Sequence, residues 1–296
     1  LIGAGAMAAL PGCSSEVEKK IAPDFKISLA EWSIHKHIFG GGAGRFESEA
    51  ARRDAYRADL GAYLKGDLTN LDFPRIARQE FDLDAVEYVN TFFFDRARDE
   101  RYLSELKTIA DGEGVKSLLI MCDWEGALGH PDAQERSMAI ERHHQWVDAA
   151  AYLGCHSVRV NAQSSGTWDE QRELSADGLV RLAEYADKSG INVIVENHGG
   201  LSSNGKWFAI SENEEYDKYL GVKELMPYAK AVSVKSFNFD ENGNEPDIDF
   251  DRLLRIVADA GYSGYLGIEY EGDSLSEYDG IHATIALLKR IIKDMS

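Results

Sequence analysis

The sequence predicts an α/β chain closed into a (β/α)8 TIM barrel, and three observations carry that prediction. Short apolar, β-branched runs alternate with longer stretches whose apolar residues recur at three- and four-residue spacing. The alternation repeats every roughly 30 to 40 residues, the length of a strand–helix unit whose strands must lie parallel. Nearly every run ends on a polar, ionisable or aromatic residue, as barrel strands do at their C-terminal face. A doubly wound open sheet competes, but no Gly-x-Gly-x-x-Gly turn follows a strand. The glycines of Gly40–Gly44 do not fit that pattern.

The first strand is expected over Lys26–Ser33 (K-I-S-L-A-E-W-S). The Gly-, Arg- and Asp-rich stretch from His35 to Asn70 reads as an insertion over one rim. Further strands are expected over Ala85–Asn90, Ser117–Asp123, His156–Ala162, Asn192–His198, Ala231–Phe237 and Tyr265–Glu271. Clear helical periodicity covers Glu141–Tyr152 and Leu179–Ala186, and Ile281–Ile292 forms a last amphipathic helix. Gly154 and Gly190 stop the helices before them, as left-handed C-terminal residues do. Between the fifth and next strands a helix is expected over Glu214–Ala229. The runs number seven where a barrel needs eight. Either a cryptic sixth strand lies around Trp207–Ile210, or that segment is missing.

Of the 296 residues, 44% are hydrophobic and 28% charged, a globular profile. The formal net charge of −19 repels a phosphate backbone, which argues against nucleic acid and fits a small neutral substrate. Residues 1–25 separate from a single barrel domain over 26–296. Their uncharged start closes on Leu10-Pro11-Gly12-Cys13, which resembles a bacterial lipobox with Cys13 as the lipidated residue. Such a segment implies an exported, periplasmic or membrane-anchored lipoprotein whose only membrane contact is its lipid. A plain Ala/Gly-rich tail is the alternative. Cys122 and Cys155 sit on or beside apolar runs and read as small core residues.

The strand ends supply the candidate chemistry. They present Glu31 and Trp32, Glu87 and Asn90, Asp123 and Trp124, Arg159 and Asn161, Glu196 and His198, Lys235, then Glu269 and Glu271. Alternation puts Arg159 with Asn161, Glu196 with His198, Ser233 with Lys235, and Glu269 with Glu271 on shared faces. A carboxylate in a barrel mouth needs a proton, a hydrogen bond or a cation. Glu196 and Glu269 therefore read as a metal-holding or acid–base pair, with Lys235 and Arg159 as the alternative neutralising charges.

V-I-V-E-N-H-G-G at Val193, V-S-V-K-S at Val232 and Y-L-G-I-E-Y-E-G at Tyr265 resemble the xylose-isomerase-like family of sugar phosphate isomerases and epimerases. I-S-L-A-E-W-S at Ile27 and D-F-P-R-I-A-R at Asp72 resemble its exported bacterial branch. The resemblance implies a divalent metal (Mn, Mg, Co or Zn) held by Glu196 and Glu269. The family's sixth-strand acidic ligand has no counterpart, and its seventh-strand His falls near Ser233. Implied catalytic residues are Glu196, Glu269 and Lys235, with Trp32, Trp124, Arg159, Asn161 and His198 binding substrate. The implied activity is isomerisation or epimerisation of an unphosphorylated sugar or glycoside through an enediolate. A lyase acting on oxidised (keto) glycosides and a non-catalytic sugar-binding lipoprotein remain alternatives. Whether two chains join as a homo-oligomer is left open.

Overall fold

A computed structural model describes residues 23–196, 209–211, 214–215 and 217–295. The apolar runs become strands β1 (Phe25–Ala30), β2 (Ala85–Val89), β3 (Lys116–Met121), β4 (Ser157–Asn161) and β5 (Asn192–Glu196). A short hairpin, β6 (Ala209–Ser211) and β7 (Glu214–Glu215), precedes β8 (Val232–Ser236) and β9 (Gly264–Tyr270). Seven of these form one parallel sheet in the order β5-β4-β3-β2-β1-β9-β8. The hairpin pairs only with itself, antiparallel. The sheet curls round as a TIM barrel, and among the described residues no strand pairs between β5 and β8. No described residue supplies a sixth strand to that sheet. The region of the cryptic strand forms β6 instead, outside the barrel.

The helices lie outside the sheet: α1 (His35–Phe39), α2 (Glu49–Asp59), α3 (Phe73–Gln79), α4 (Glu100–Glu113) and α5 (Ala133–Leu153) come first. Then follow α6 (Trp168–Ala186), α7 (Lys218–Leu225), α8 (Phe250–Asp259) and α9 (Glu277–Asp294). Apart from α1 and α3, their starts carry oxygen-bearing caps, which satisfy backbone N–H groups that lack an intrahelical partner. Asp132 accepts from the N–H groups of Gln134 and Glu135, and Thr167 forms a reciprocal capping box with Glu170. Gly154 ends α5 at φ +82°, a conformation open to a residue without Cβ. The helix expected over Glu214–Ala229 is shorter: α7 and a following 3-10 turn (Met226–Tyr228) hold its later part, and Glu214–Glu215 belong to the hairpin.

The first strand also ends early. Glu31–Ile34 form a 3-10 turn, because the fully buried Glu31 accepts hydrogen bonds from the Val89 N–H and Asn70 Nδ2, both at 2.9 Å. Burial raises its pKa to about 8 against those two bonds. The stretch from His35 to Asn70 folds as α1, α2 and turns. The core packs Trp146, Phe93 and Phe73 from the helical side against Tyr88, Ile120 and Leu29 from the sheet. Cys122 and Cys155 are buried free thiols, as their apolar settings imply. Among the described residues, no helix is long and apolar enough to cross a membrane.

Candidate active site at the strand ends

Parallel register brings the candidate residues into the barrel. Lys235 of β8 lies opposite Glu269 of β9, Ser233 opposite Gly267, and Asn161 of β4 opposite Glu196 of β5. The Lys235 side chain is 3% exposed, and its Nζ lies 3.3 Å from Glu196 Oε1, 3.2 Å from Glu269 Oε1 and 3.2 Å from Glu271 Oε1. The second oxygen of Glu269 accepts from Ser233 Oγ at 3.2 Å. The second oxygen of Glu196 lies 3.0 Å from Arg159 Nε, a close ion pair without hydrogen-bond alignment. Arg159 Nη1 donates to Asp123 Oδ1 at 2.8 Å, and Asn161 Nδ2 donates to the same oxygen at 3.0 Å. Asn90 fixes Asp123 in turn, bonding its backbone N–H and carbonyl at 2.9 Å each.

Deeper in the barrel, Ser28 Oγ donates to Glu87 Oε1 at 2.7 Å. A Cβ at position 267 would collide with the Glu87 carboxylate, which is the reason for glycine in Y-L-G-I-E. Burial raises the Glu87 pKa to about 7, opposed by Ser28 and Arg159 and helped by Glu196. Glu269 is likewise raised to about 7, by burial first and by the Glu196 and Glu271 charges, with Lys235 pulling the other way. Burial works against the charges of Lys235 and Arg159, but the surrounding carboxylates override it and hold both pKa values above their ordinary range. Both cations therefore stay charged, while one carboxyl between them sits near neutrality.

Five of the sequence-derived residues thus meet in one network: Glu196, Glu269, Lys235, Arg159 and Asn161. His198 and Cys13 lie outside the described residues. The two tryptophans make other contacts. Trp32 stacks on His35 and Phe92, with ring centroids 4.8 and 5.8 Å apart. Trp124, in a left-handed conformation at φ +65°, donates from Nε1 to Thr91 Oγ1 and carries the Arg52 guanidinium 3.9 Å from its ring. Asp123, Glu87 and Glu271 belong to the network although the sequence placed them only at strand ends. The signal for Glu271 is its shared face with Glu269; for Glu87 it is the glycine opposite. Beside the network, a cleft of about 610 Å³ opens between β5 and β8, lined by Val193, Val195, Leu225 and Val232 and reaching Glu196 and Ser233.

Parallel strands curled into a barrel, with carboxylates and cations gathered at the strand ends, define the TIM-barrel class. Residues 77–222 match the family model of the xylose isomerase-like TIM barrel. That stretch is about half of the chain, and the fold around it is a TIM barrel. Among solved structures, it is similar to 3-keto-D-glucoside 4-epimerase from E. coli, with a TM-score of 0.57 and 16% identity, covering 75% of this chain and 94% of that one. It is also similar to a xylose isomerase-like TIM barrel protein from Mycobacterium smegmatis in complex with magnesium. That likeness has a TM-score of 0.58 and 12% identity over 91% of this chain and 97% of that one. A C-glycoside deglycosidase alpha subunit from Arthrobacter globiformis is 34% identical over 77 residues, 24% of this chain and 22% of the relative. The match thus spans about a fifth of that curated relative's length.

Metal-bound neighbours make the ligand set of this chain a question of fit. A divalent ion needs free carboxylate oxygens at about 2.0–2.6 Å. Here all four oxygens of Glu196 and Glu269 already face a protein cation or hydroxyl. An ammonium stands between the two carboxylates. Among the described residues, no three metal-ligating side chains are set to hold an ion. The donor set, with Lys235 charged, does not fit the metal that the resemblance implies.

Proposed function

We propose that this protein moves a proton at the carbon beside the carbonyl of an unphosphorylated sugar or glycoside, acting as an isomerase or epimerase. The observation that carries this reading is the pair Glu196 and Glu269, held on either side of one buried ammonium. Glu269, poised near neutrality, takes the proton; the C–H electrons form the enediolate double bond and the carbonyl π pair moves to oxygen. Lys235 supplies positive charge where that oxyanion grows. Glu196, starting as the protonated member of the pair, gives its proton to the opposite face or the adjacent carbon and is left ionised, while Glu269 is left protonated. Arg159 and Asn161 orient sugar hydroxyls with Asp123, while His198 anchors a further oxygen. The sugar packs against Trp32 and Trp124. No phosphate cradle is evident in the sequence, which supports an unphosphorylated substrate.

Elimination is the second reading, favoured by likeness to a deglycosidase subunit and a keto-glucoside epimerase. It shares the first step; the enediolate then expels the β-substituent instead of being reprotonated. Incubation with a 3-keto-glucoside in D2O, followed by NMR, separates the two. Deuterium at the carbon beside the carbonyl of an epimerised product supports the first, and release of the aglycone supports the second. Glu269→Gln is expected to slow either reaction by about 10²–10⁴-fold with an unchanged melting curve. Neither exchange nor release in the wild type would leave a sugar-binding role, read as binding without turnover. The Leu10–Cys13 stretch supports export and lipidation. Palmitate labelling that vanishes in Cys13→Ala tests it, and unlabelled wild type refutes it.

A further inference from the structure

We infer that Lys235 is an internal cation filling the one point shared by three carboxylates, and that removing its charge opens a divalent-cation site formed by Glu196, Glu269 and Glu271. The ammonium touches one oxygen of each carboxylate at 3.2–3.3 Å, so a single point already collects three anionic ligands from β5, β9 and the residue just past β9. An ion in that place would sit on the ammonium, and two cations cannot share it. Ion-to-oxygen distances of about 2.0–2.6 Å are shorter than the ammonium contacts, so the carboxylates need to close in by only about 1 Å. Without the lysine, the three like charges lose the partner that holds them together in a buried setting, and a substitute cation is the simplest replacement. Ser233 of β8 donates its hydroxyl to Glu269 Oε2, which leaves the ammonium two residues on to neutralise the cluster. The inference concerns ion binding alone and stands apart from the reaction proposed above.

The test uses the full chain stripped with EDTA and titrated with Mn²⁺, read by calorimetry and by melting temperature. Wild type is expected to bind Mn²⁺ more weakly than about 1 mM and to melt at the same temperature with Mn²⁺ or EDTA. Lys235→Met is expected to bind one ion at least about tenfold more tightly, to melt higher with Mn²⁺, and to lose both effects when Glu269→Gln is added. If Lys235→Met does not fold, Lys235→Gln serves in the same comparison. One Mn²⁺ bound by wild type at micromolar concentration overturns the inference, as does a folded Lys235 variant that gains no affinity. Turnover is not read, so either result leaves the proton-transfer reading to its own experiment.

Discussion

The two flanks of the sheet are built from similar sequence and end up in different surroundings. On the closed flank, every residue of β2 is buried, and β3 carries Leu118–Met121 fully inside. On the open flank, V-I-V of β5 is as apolar as any strand of the chain, yet Val195 is 46% exposed. The facing edge of β8 opens the same way, with Val232 half-buried and Ser233 exposed. The β-branched character that makes a strand is thus independent of whether a neighbour arrives to cover it. Pairing and helical cover decide burial, and burial decides how much each residue stabilises the fold.

Substitutions that delete buried atoms test that contrast most strongly. Ile120→Ala on the closed flank is expected to cost about 2–5 kcal/mol in urea denaturation. Val195→Ala on the open flank should cost below about 1 kcal/mol, and equal losses at the two sites would abolish the distinction. Gly267→Ala comes next, at about 1–3 kcal/mol, because the new methyl group drives into the Glu87 carboxylate. Shortening the neighbour, as Glu87→Ala, should relieve that cost; no rescue would place the strain elsewhere.

A smaller and pH-dependent effect also belongs to the closed flank. Glu31 and Glu87 hold their protons to about pH 8 and 7 in the folded chain, whereas the unfolded chain releases them near 4.5. Between those values the folded state binds more protons, so stability falls as pH rises from about 4.5 towards 8. Urea midpoints are expected to drop across that window. Glu31→Gln should flatten the slope. A midpoint that rises with pH in the wild type, or an unchanged slope in the variant, would count against buried neutral carboxyls.

The barrel was readable because period-2 and period-3.6 patterns are local, and each strand–helix unit states its own type. Strand ends were legible to within a few residues, and the polar residues clustered there were visible without coordinates. Electrostatic partnership was not. Asp123 and Arg159 are 36 residues apart, as are Lys235 and Glu271, and only the parallel register brings each pair together. Glu31 shows the limit most clearly. From sequence it is one more strand-end carboxylate, while in the fold it is a buried acceptor that terminates β1. The sixth strand has no clear apolar, β-branched run to mark it in the sequence, and among the described residues none adds one to the sheet.

The gap between β5 and β8 has a mechanical consequence. Among the described residues, backbone ladders join each neighbouring pair of the sheet, while its first and last strands, β5 and β8, meet through Glu196 and Lys235, 3.3 Å apart. Among the described residues, what fastens the hoop there is a charge clasp. Whatever draws Lys235 toward itself, a substrate oxygen included, also tugs at the fastening, so occupancy of the site and tension around the ring are set by the same few atoms.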